Sequence, residues 1–148
     1  MIQNKVLFVC IHNSARSQMA EAFLKKWGNE HFIAESAGLE PGTLNPNVVA
    51  VMAEIGIDIS HNKTQSVFDL FKAAKKYDAV VTVCDGASAE QCPIFPGNVK
   101  RIAWSFPDPS SFKGTHEEIL KHTREVRDTI EQKIKSFVEE SKELKYWF

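Results

Sequence analysis

Near the amino terminus, a cysteine, five further residues and an arginine form the segment CIHNSAR at 10–16, directly followed by Ser17. An apolar run precedes the segment and a helical pattern follows it, so it joins a strand to a helix. The backbone N–H groups of such a loop can turn inward, and with the helix N-terminus they favour a bound oxyanion. Arg16 can hold two oxygens of a tetrahedral anion in its planar fork. The pattern therefore predicts an oxyanion-binding loop formed by Ile11, His12, Asn13, Ser14, Ala15 and Arg16.

Cys10 is the predicted nucleophile of this loop. Positive surroundings favour its thiolate, Ser17 can donate a hydrogen bond to the sulfur, and a thiolate beneath a bound tetrahedral centre is placed for in-line attack. Asn13 can hold the loop in shape or adopt a positive φ. The alternative is a small buried cysteine beside a surface arginine, and the flanking strand, helix and serine favour catalysis over it. For His12, a functional role and a plain loop position both stay open.

The other two cysteines, Cys84 and Cys92, bracket the polar segment DGASAEQ, which has no apolar anchor and is expected to move. Their spacing is too wide for a redox C-x-x-C motif or a zinc knuckle, and no second cysteine pair exists, so we expect no structural zinc. A mobile link lets the two sulfurs approach bonding distance. The arrangement suggests a disulfide relay from Cys10 to Cys84 and then to Cys92. Two unrelated thiols are the alternative.

A single acidic residue, Asp108, lies between two prolines in SFPDPSSF. The prolines fix the backbone and can hold the carboxyl group over a pocket, where it would act as a general acid. A turn aspartate before proline is the alternative interpretation. The cysteine–arginine loop predicted at the same edge of the sheet favours the catalytic role.

These residues depend on a regular alternation of strands and helices. Parallel strands with right-handed crossovers follow from that alternation, so the predicted fold is α/β, a doubly wound four-stranded parallel sheet flanked by helices. Such sheets bind ligands at the carboxyl ends of their strands, and Cys10, Cys84 and Asp108 all follow predicted strands. The predicted strands are 5–9, 31–37, 78–83 and 99–104, and the predicted helices are 17–27, 46–55, 66–76 and 115 to about 140.

The composition limits the partners of the chain. Its 148 residues predict one catalytic domain over 1–148, in which the tail 141–148 either plugs the core or forms a sticky contact through Tyr146, Trp147 and Phe148. The net charge of −1 argues against broad binding to nucleic acid or to anionic lipid. No apolar run is long enough for a membrane span or a signal peptide. We therefore expect a cytoplasmic protein with its cysteines reduced at rest.

Four segments together resemble a known family: CIHNSARSQMAEAF, ESAG at 35–38, VTVCDGASAEQCP at 81–93 and FPDP at 106–109. They are similar to the thioredoxin-coupled arsenate reductases, which share the low-molecular-weight protein tyrosine phosphatase fold. The resemblance implies that Cys10 attacks arsenate, that Arg16 and the loop amides bind its oxygens, and that Asp108 protonates the leaving oxygen. Cys84 would then release arsenite, and Cys92 would carry the disulfide outward to thioredoxin. Phosphate and sulfate would compete with arsenate.

The resemblance implies no tightly bound cofactor and leaves a potassium site doubtful. Some members of the family bind potassium through the loop asparagine, the serine of the SAG segment and groups in a later loop. Asn13 and Ser36 match, which allows at most a weak site there. The later loop, HNKTQS, lacks the expected carboxylate, and Lys63 adds a like charge.

Three functions compete for this chain. Arsenate reduction uses all three cysteines and ranks first. A phosphatase acting on phosphotyrosine or a small phosphate ester would need only Cys10, Arg16 and Asp108, but the tyrosine that often follows Asp-Pro in that branch is Ser110 here. A non-catalytic domain that binds an oxyanion or a partner ranks last, because it leaves the complete set of acid, nucleophile and arginine unexplained.

Overall fold

Four parallel strands form the sheet of this protein, for which the computed structural model describes residues 3–84 and 86–143. Their spatial order is β2-β1-β3-β4, so the direction of winding reverses between β1 and β3. This confirms the predicted doubly wound sheet, in which β1 and β3 are neighbours. The strands are β1 (Asn4–Cys10), β2 (Phe32–Gly38), β3 (Ala79–Thr82) and β4 (Lys100–Ala103).

Helices cover both faces of the sheet. One buried cluster joins Phe8 and Val81 to apolar residues of α1, α2 and α5, and a second joins Leu7 and Val80 to Val67 at the start of α3. Because β1 is buried on both faces, its residues form a continuous apolar run rather than an alternating one. The helices are α1 (Arg16–Trp27), α2 (Pro46–Ala53), α3 (Val67–Lys72), α4 (Gly86–Ala89) and α5 (His116–Glu143).

The observed elements differ from the predicted ones mainly at their ends. The third helix was expected over 66–76, but α3 ends at Lys72, because Ala74 has a positive φ of 58° that no α-helix continues through. Ser66 instead caps α3, accepting hydrogen bonds from the N–H groups of Phe68 and Asp69.

The sequence pattern did not predict two short elements. The one-turn helix α4 lies in the segment expected to be an irregular mobile link, and a 3₁₀ turn covers Pro109–Ser111. Neither is long enough to show an apolar period, so periodicity could not reveal them.

The long helix α5 packs against α1 and α2 and extends past the predicted end near 140. Within the tail expected at 141–148, residues 141–143 continue this helix. Tyr146, Trp147 and Phe148 lie outside the described residues. Across residues 3–84 and 86–143, no helix combines the length and the apolar character needed to cross a bilayer.

Candidate active site

The segment between β1 and α1 forms a loop whose peptide carbonyls all face away from its centre. The carbonyl oxygens of Cys10, Ile11 and His12 accept hydrogen bonds from backbone N–H groups of the segment after β2. The next two carbonyl oxygens, those of Asn13 and Ser14, accept hydrogen bonds from a side chain of α1 and from the backbone at the start of α2. In a trans peptide the N–H group points opposite to the C=O group, so the N–H groups of residues 11–15 are turned to the other side. The donors are the N–H groups of Leu39 (3.1 Å), Glu40 (2.7 Å), Gly42 (2.9 Å) and Asn45 (3.0 Å), and Nε2 of Gln18 (3.1 Å).

Two backbone features allow this path. Asn13 adopts a φ of +54°, which asparagine tolerates better than most residues and which was one of the two roles predicted for it. Gly38, paired with Cys10 across the sheet, leaves room for the loop: a Cβ atom there would lie 2.7 Å from the Asn13 nitrogen and 2.8 Å from the Ile11 oxygen. Both distances are below any real contact, so the loop requires glycine at this position.

Cys10 lies at the base of the loop and is buried. Its sulfur is 2.9 Å from Ser17 Oγ and accepts a hydrogen bond from the Asn13 N–H at 3.2 Å. Asn13 Nδ2 donates to Ser17 Oγ at 2.8 Å, so the serine hydroxyl hydrogen remains available for the sulfur. Two groups are therefore directed at the sulfur, and the contact with Ser17 is the one that the sequence predicted.

Arg16 is the first residue of α1 and is 6% exposed. Nη1 donates to the Phe106 carbonyl at 3.2 Å and Nη2 lies 3.6 Å from Asp108 Oδ2. Its buried Nε finds no hydrogen-bond partner among the residues that the structure describes. Ala15, the N-cap of α1, makes no side-chain capping bond. The helix start and the guanidinium group thus offer donors to an anion on the same side of the loop.

Asp108 starts a turn and also lies beside Arg16. Its Oδ1 accepts a hydrogen bond from the Ser110 N–H at 3.0 Å, as a turn aspartate does, and this starts the 3₁₀ turn. Its Oδ2 faces Arg16, so the carboxyl group also lies at the oxyanion loop. Ser110 Oγ in turn accepts a hydrogen bond from Asn45 Nδ2 at 3.1 Å, which links the acid loop to the segment before α2.

The three cysteines are reduced and buried, but they divide between the two faces of the sheet. Cys84 and Cys10 belong to the same buried cluster, and Cys84 follows β3 by two residues rather than directly. Cys92 belongs to the cluster on the opposite face, with Tyr77 and Phe95. Burial raises the pKa of the Cys92 thiol to about 11, an effect that Arg101 partly offsets. The polar segment between Cys84 and Cys92, which was expected to have no apolar anchor, is therefore held at its carboxyl end by the buried Cys92.

A hydrogen-bond chain behind the loop contains residues that the sequence did not single out. Asn13 Nδ2 donates to Ser36 Oγ at 2.9 Å, Ser36 Oγ donates to Glu21, and Asn13 Oδ1 accepts from the Gln65 N–H at 3.0 Å. Glu21 lies one helical turn after Ser17, so helical spacing from the nucleophile loop was the signal that could have identified it.

Asn13 and Ser36 do lie together, as the resemblance implied for a potassium site. Asn13 Oδ1 accepts a hydrogen bond from the Gln65 N–H, and Ser36 Oγ donates one to Glu21. In the described part of the chain, no three His, Cys, Asp or Glu side chains form a group that could hold a metal ion.

His12 is exposed, and its Nδ1 lies 2.9 Å from the Glu40 carbonyl oxygen. The ring packs beside Gly42, where an added Cβ would lie 3.4 Å from the His12 Cβ. The side chain thus fastens the loop to the segment after β2, which favours the plain loop position over a chemical role.

Comparisons with known proteins agree with this geometry. A family model described as "Low molecular weight phosphotyrosine protein phosphatase" matches residues 5–146. The chain is 43% identical to an arsenate reductase of Bacillus subtilis over 95% of this chain and 100% of that protein. It is 42% identical to an arsenate reductase of Halalkalibacterium halodurans over 96% of this chain and 100% of that protein.

Solved structures show the same fold. The arsenate reductase of Archaeoglobus fulgidus superposes with a TM-score of 0.71 at 32% identity, covering 90% of this chain and 98% of that one. A structure described as an arsenate reductase in oxidized state gives a TM-score of 0.77 at 29% identity, covering 93% and 98%. Given the match of the family model to almost the whole sequence, the chain belongs to the low-molecular-weight phosphotyrosine protein phosphatase family.

Proposed function

We propose that this chain is a single-domain arsenate reductase, which converts arsenate to arsenite through a Cys10 adduct and a disulfide relay regenerated by thioredoxin. The full-length similarity to arsenate reductases supports the substrate. The observation that supports arsenate reduction over ester hydrolysis is that Cys84 packs in the same buried cluster as Cys10. A phosphatase of this fold has no need of a second thiol at that place.

In the first step the oxyanion binds in the loop. The N–H groups of residues 11–15 and the uncapped start of α1 supply donors to its oxygens. The Arg16 Nε, which has no hydrogen-bond partner within residues 3–84 and 86–143, can donate to one oxygen, and its Nη2 can turn from Asp108 to another. These groups have no affinity for arsenic in particular, so phosphate and sulfate compete for the loop.

In the second step the Cys10 thiolate attacks the bound arsenic atom in line with a leaving oxygen. The hydrogen bonds from Ser17 and from the Asn13 N–H keep the sulfur at the base of the loop. Asp108, beside Arg16, donates a proton to the leaving oxygen, which departs as water.

In the third step Cys84 attacks the Cys10 sulfur. A Cys10–Cys84 disulfide forms, the sulfur–arsenic bond breaks, and its electron pair leaves with the arsenic as arsenite. Cys92 then attacks Cys84, which frees the Cys10 thiolate and leaves a Cys84–Cys92 disulfide. The two electrons given to arsenic come back when a thioredoxin dithiol reduces that disulfide.

The test is arsenate-dependent oxidation of NADPH in the presence of thioredoxin and thioredoxin reductase, with hydrolysis of p-nitrophenyl phosphate measured alongside. We expect oxidation that depends on arsenate and is inhibited by phosphate. Ester hydrolysis without arsenate-dependent oxidation would replace the proposal with a phosphatase function, whereas weak hydrolysis beside strong oxidation would reflect only the shared nucleophile, arginine and acid.

A further inference from the structure

Asn45, the residue that precedes α2, joins three parts of the candidate active site. Its backbone N–H donates to the Ser14 carbonyl at 3.0 Å and so holds one peptide group of the oxyanion loop. Its Oδ1 accepts hydrogen bonds from the N–H groups of Asn47 (2.9 Å) and Val48 (3.3 Å), which makes it the N-cap of α2. Its Nδ2 donates to Ser110 Oγ at 3.1 Å. One residue therefore connects the oxyanion loop, the start of α2 and the loop after β4.

The helix cap fixes the orientation of the Asn45 amide group. A backbone N–H can only donate, so the side-chain atom that faces the N–H groups of Asn47 and Val48 must be the amide oxygen. The amide nitrogen is then directed at Ser110 Oγ, which can accept its hydrogen bond. Val48 is fully buried and anchors the start of α2 in the core. Asn45 thus presents a directed donor from a fixed element.

The loop that carries Asp108 is held from two different elements. Pro107 and Pro109 have no backbone N–H group with which to hold the loop. On the side of α5, the Phe112 ring packs against the His122 ring, with 5.7 Å between centroids. On the side of α2, the hydrogen bond between Asn45 and Ser110 crosses to the loop.

Ser110 passes this support on to the acid. Its N–H donates to Asp108 Oδ1 at 3.0 Å, which restrains the rotation of the carboxyl group. The other oxygen, Oδ2, then faces Arg16 and lies 3.6 Å from its Nη2. A shift of Ser110 would therefore move the carboxyl group relative to the oxyanion loop.

We propose that Asn45 is a positioning residue for the general acid, and that it acts through Ser110 to hold Asp108 where the acid reaches the leaving oxygen. The inference rests on the proposed function, because it assigns a supporting residue to the second step of that reaction. Asn45 transfers no proton itself. Since it also holds the Ser14 carbonyl, it fixes the acid and the anion-binding loop relative to each other.

The competing role for Asn45 is that of a helix cap alone. The two roles use different atoms, Oδ1 for the cap and Nδ2 for the bridge to Ser110, so substitutions can separate them. Ser110→Ala removes the acceptor of the bridge and leaves both the cap and the Ser110 N–H in place. Asn45→Ser keeps a capping hydroxyl group, but its side chain is too short to reach Ser110.

The experiment measures adduct formation after rapid mixing with arsenate, in the full chain carrying Cys84→Ser so that the adduct accumulates. Ser110→Ala and Asn45→Ser are each made with Asp108 present and with Asp108→Asn. Ser110→Thr, which retains the accepting oxygen, is the conservative variant. Thr129→Ala is the control, because it removes an exposed hydroxyl group whose hydrogen bond stays within α5. Phosphate affinity and urea unfolding are measured for every variant.

We expect Ser110→Ala and Asn45→Ser to slow adduct formation about three- to tenfold, the effect of losing one neutral hydrogen bond. Phosphate affinity and the urea midpoint should stay unchanged, because the oxyanion loop and the cap are retained. With Asp108→Asn, the same two changes should slow the reaction by no more than about 1.5-fold further, because no acid remains to be positioned. Ser110→Thr and Thr129→Ala should react at the rate of the starting chain.

An unchanged rate in Ser110→Ala would overturn the proposal. Equal slowing with Asp108 and with Asp108→Asn would do the same and would leave Asn45 as a helix cap. Failure of the proposed function has a different signature, since the starting chain would then form no arsenate adduct although it binds phosphate. In that event, hydrolysis of p-nitrophenyl phosphate by the same variants with Cys84 intact provides the comparison, because Asp108 would act as the acid there too.

Discussion

Two donors converge on the Cys10 sulfur, and a chain of side chains fixes their direction. Ionised Glu21 can only accept a hydrogen bond, so Ser36 donates to it and must receive from Asn13. Asn13 has its other amide hydrogen for Ser17, which leaves the Ser17 hydroxyl hydrogen for the sulfur. The hydrogen bonds to the Cys10 sulfur therefore depend on how these neighbouring side chains are oriented, and not only on the presence of a cysteine.

Replacement of Asp108 by asparagine should separate its two roles. Asparagine retains an oxygen that can accept the Ser110 N–H bond, but it has no proton to give to a leaving oxygen. We expect arsenate binding to persist while adduct formation slows by about 10² to 10⁴, the usual cost of losing a general acid. Rapid-mix measurement of adduct formation checks this, and slowing of less than twofold would leave Asp108 as a turn residue only.

Cys92 should resist alkylation in the folded, reduced chain. With its pKa raised to about 11 by burial, only on the order of one molecule in a few thousand carries the thiolate at pH 7.5. Its iodoacetamide reaction should accelerate about tenfold per pH unit up to about pH 10. Mass mapping in Cys10→Ser/Cys84→Ser provides the measurement, with urea-unfolded protein as control. A folded rate at pH 7.5 equal to the unfolded rate would contradict the buried position.

At the scale of elements, the junction of β1, α1 and the segment after β2 forms the oxyanion loop. The N–H groups of residues 39, 40 and 42 hold three consecutive loop carbonyls outward, and the Asn45 N–H holds a fourth. Gly38 permits the close approach, and the absent side-chain cap at Ala15 leaves helix amides for a ligand. The strand and the helix fix the ends of the loop, and the segment after β2 fixes which way the loop carbonyls point.

Substitution of Gly38 by alanine should damage the loop through sterics alone. The added methyl group would collide with the backbone at Asn13 and Ile11, which cannot move without breaking the loop hydrogen bonds. We expect at least a tenfold weaker phosphate affinity and a destabilisation of roughly 1–3 kcal/mol. Gly42→Ala is the matched control, because the nearest atoms to its methyl group belong to the His12 side chain, at 3.4 Å or more. Equal phosphate affinity in both variants would contradict this account.

Sequence reasoning recovered the parts of the site that are local in the chain. Cys10, Arg16 and Ser17 were predictable because strand, loop and helix follow one another within a few residues. Glu21, Gln65 and the division of the cysteines between two faces were not, because they depend on the packing of distant segments. The burial of Cys92 was not predictable either, because it depends on Tyr77 and Phe95, which no local pattern relates to it.

At the scale of the whole molecule, the face of the sheet that packs against Cys92 carries two buried groups, Cys92 and Tyr77, that favour their neutral forms. Burial raises the pKa of Cys92 to about 11, and burial together with the hydrogen bond to Glu35 raises the pKa of Tyr77. Both groups ionise more easily in the unfolded chain. Their contribution to stability is therefore complete below about pH 9 and is lost as the pH rises toward the folded pKa values.

The pH dependence of the free energy of unfolding at alkaline pH should reveal the burial of Cys92 on this face. Between pH 8 and pH 10.5 we expect the wild type to lose roughly 1 kcal/mol more of its free energy of unfolding than Cys92→Ala loses, after allowance for partial solvent screening. Urea titrations in the presence of a phosphine reductant measure the difference. Identical pH dependence of the two proteins would show that the Cys92 thiol is not shielded from water.

The order of the three-cysteine relay can be tested by the arsenite released in a single turnover without reductant, with mass mapping of the disulfide formed. Cys84→Ser should release no arsenite, because no thiol attacks the Cys10 adduct. Cys92→Ser should release about one arsenite per chain and end as a Cys10–Cys84 disulfide, because each exchange needs a thiolate at one specific sulfur. Normal cycling of Cys92→Ser with thioredoxin, or arsenite release from Cys84→Ser, would contradict the relay.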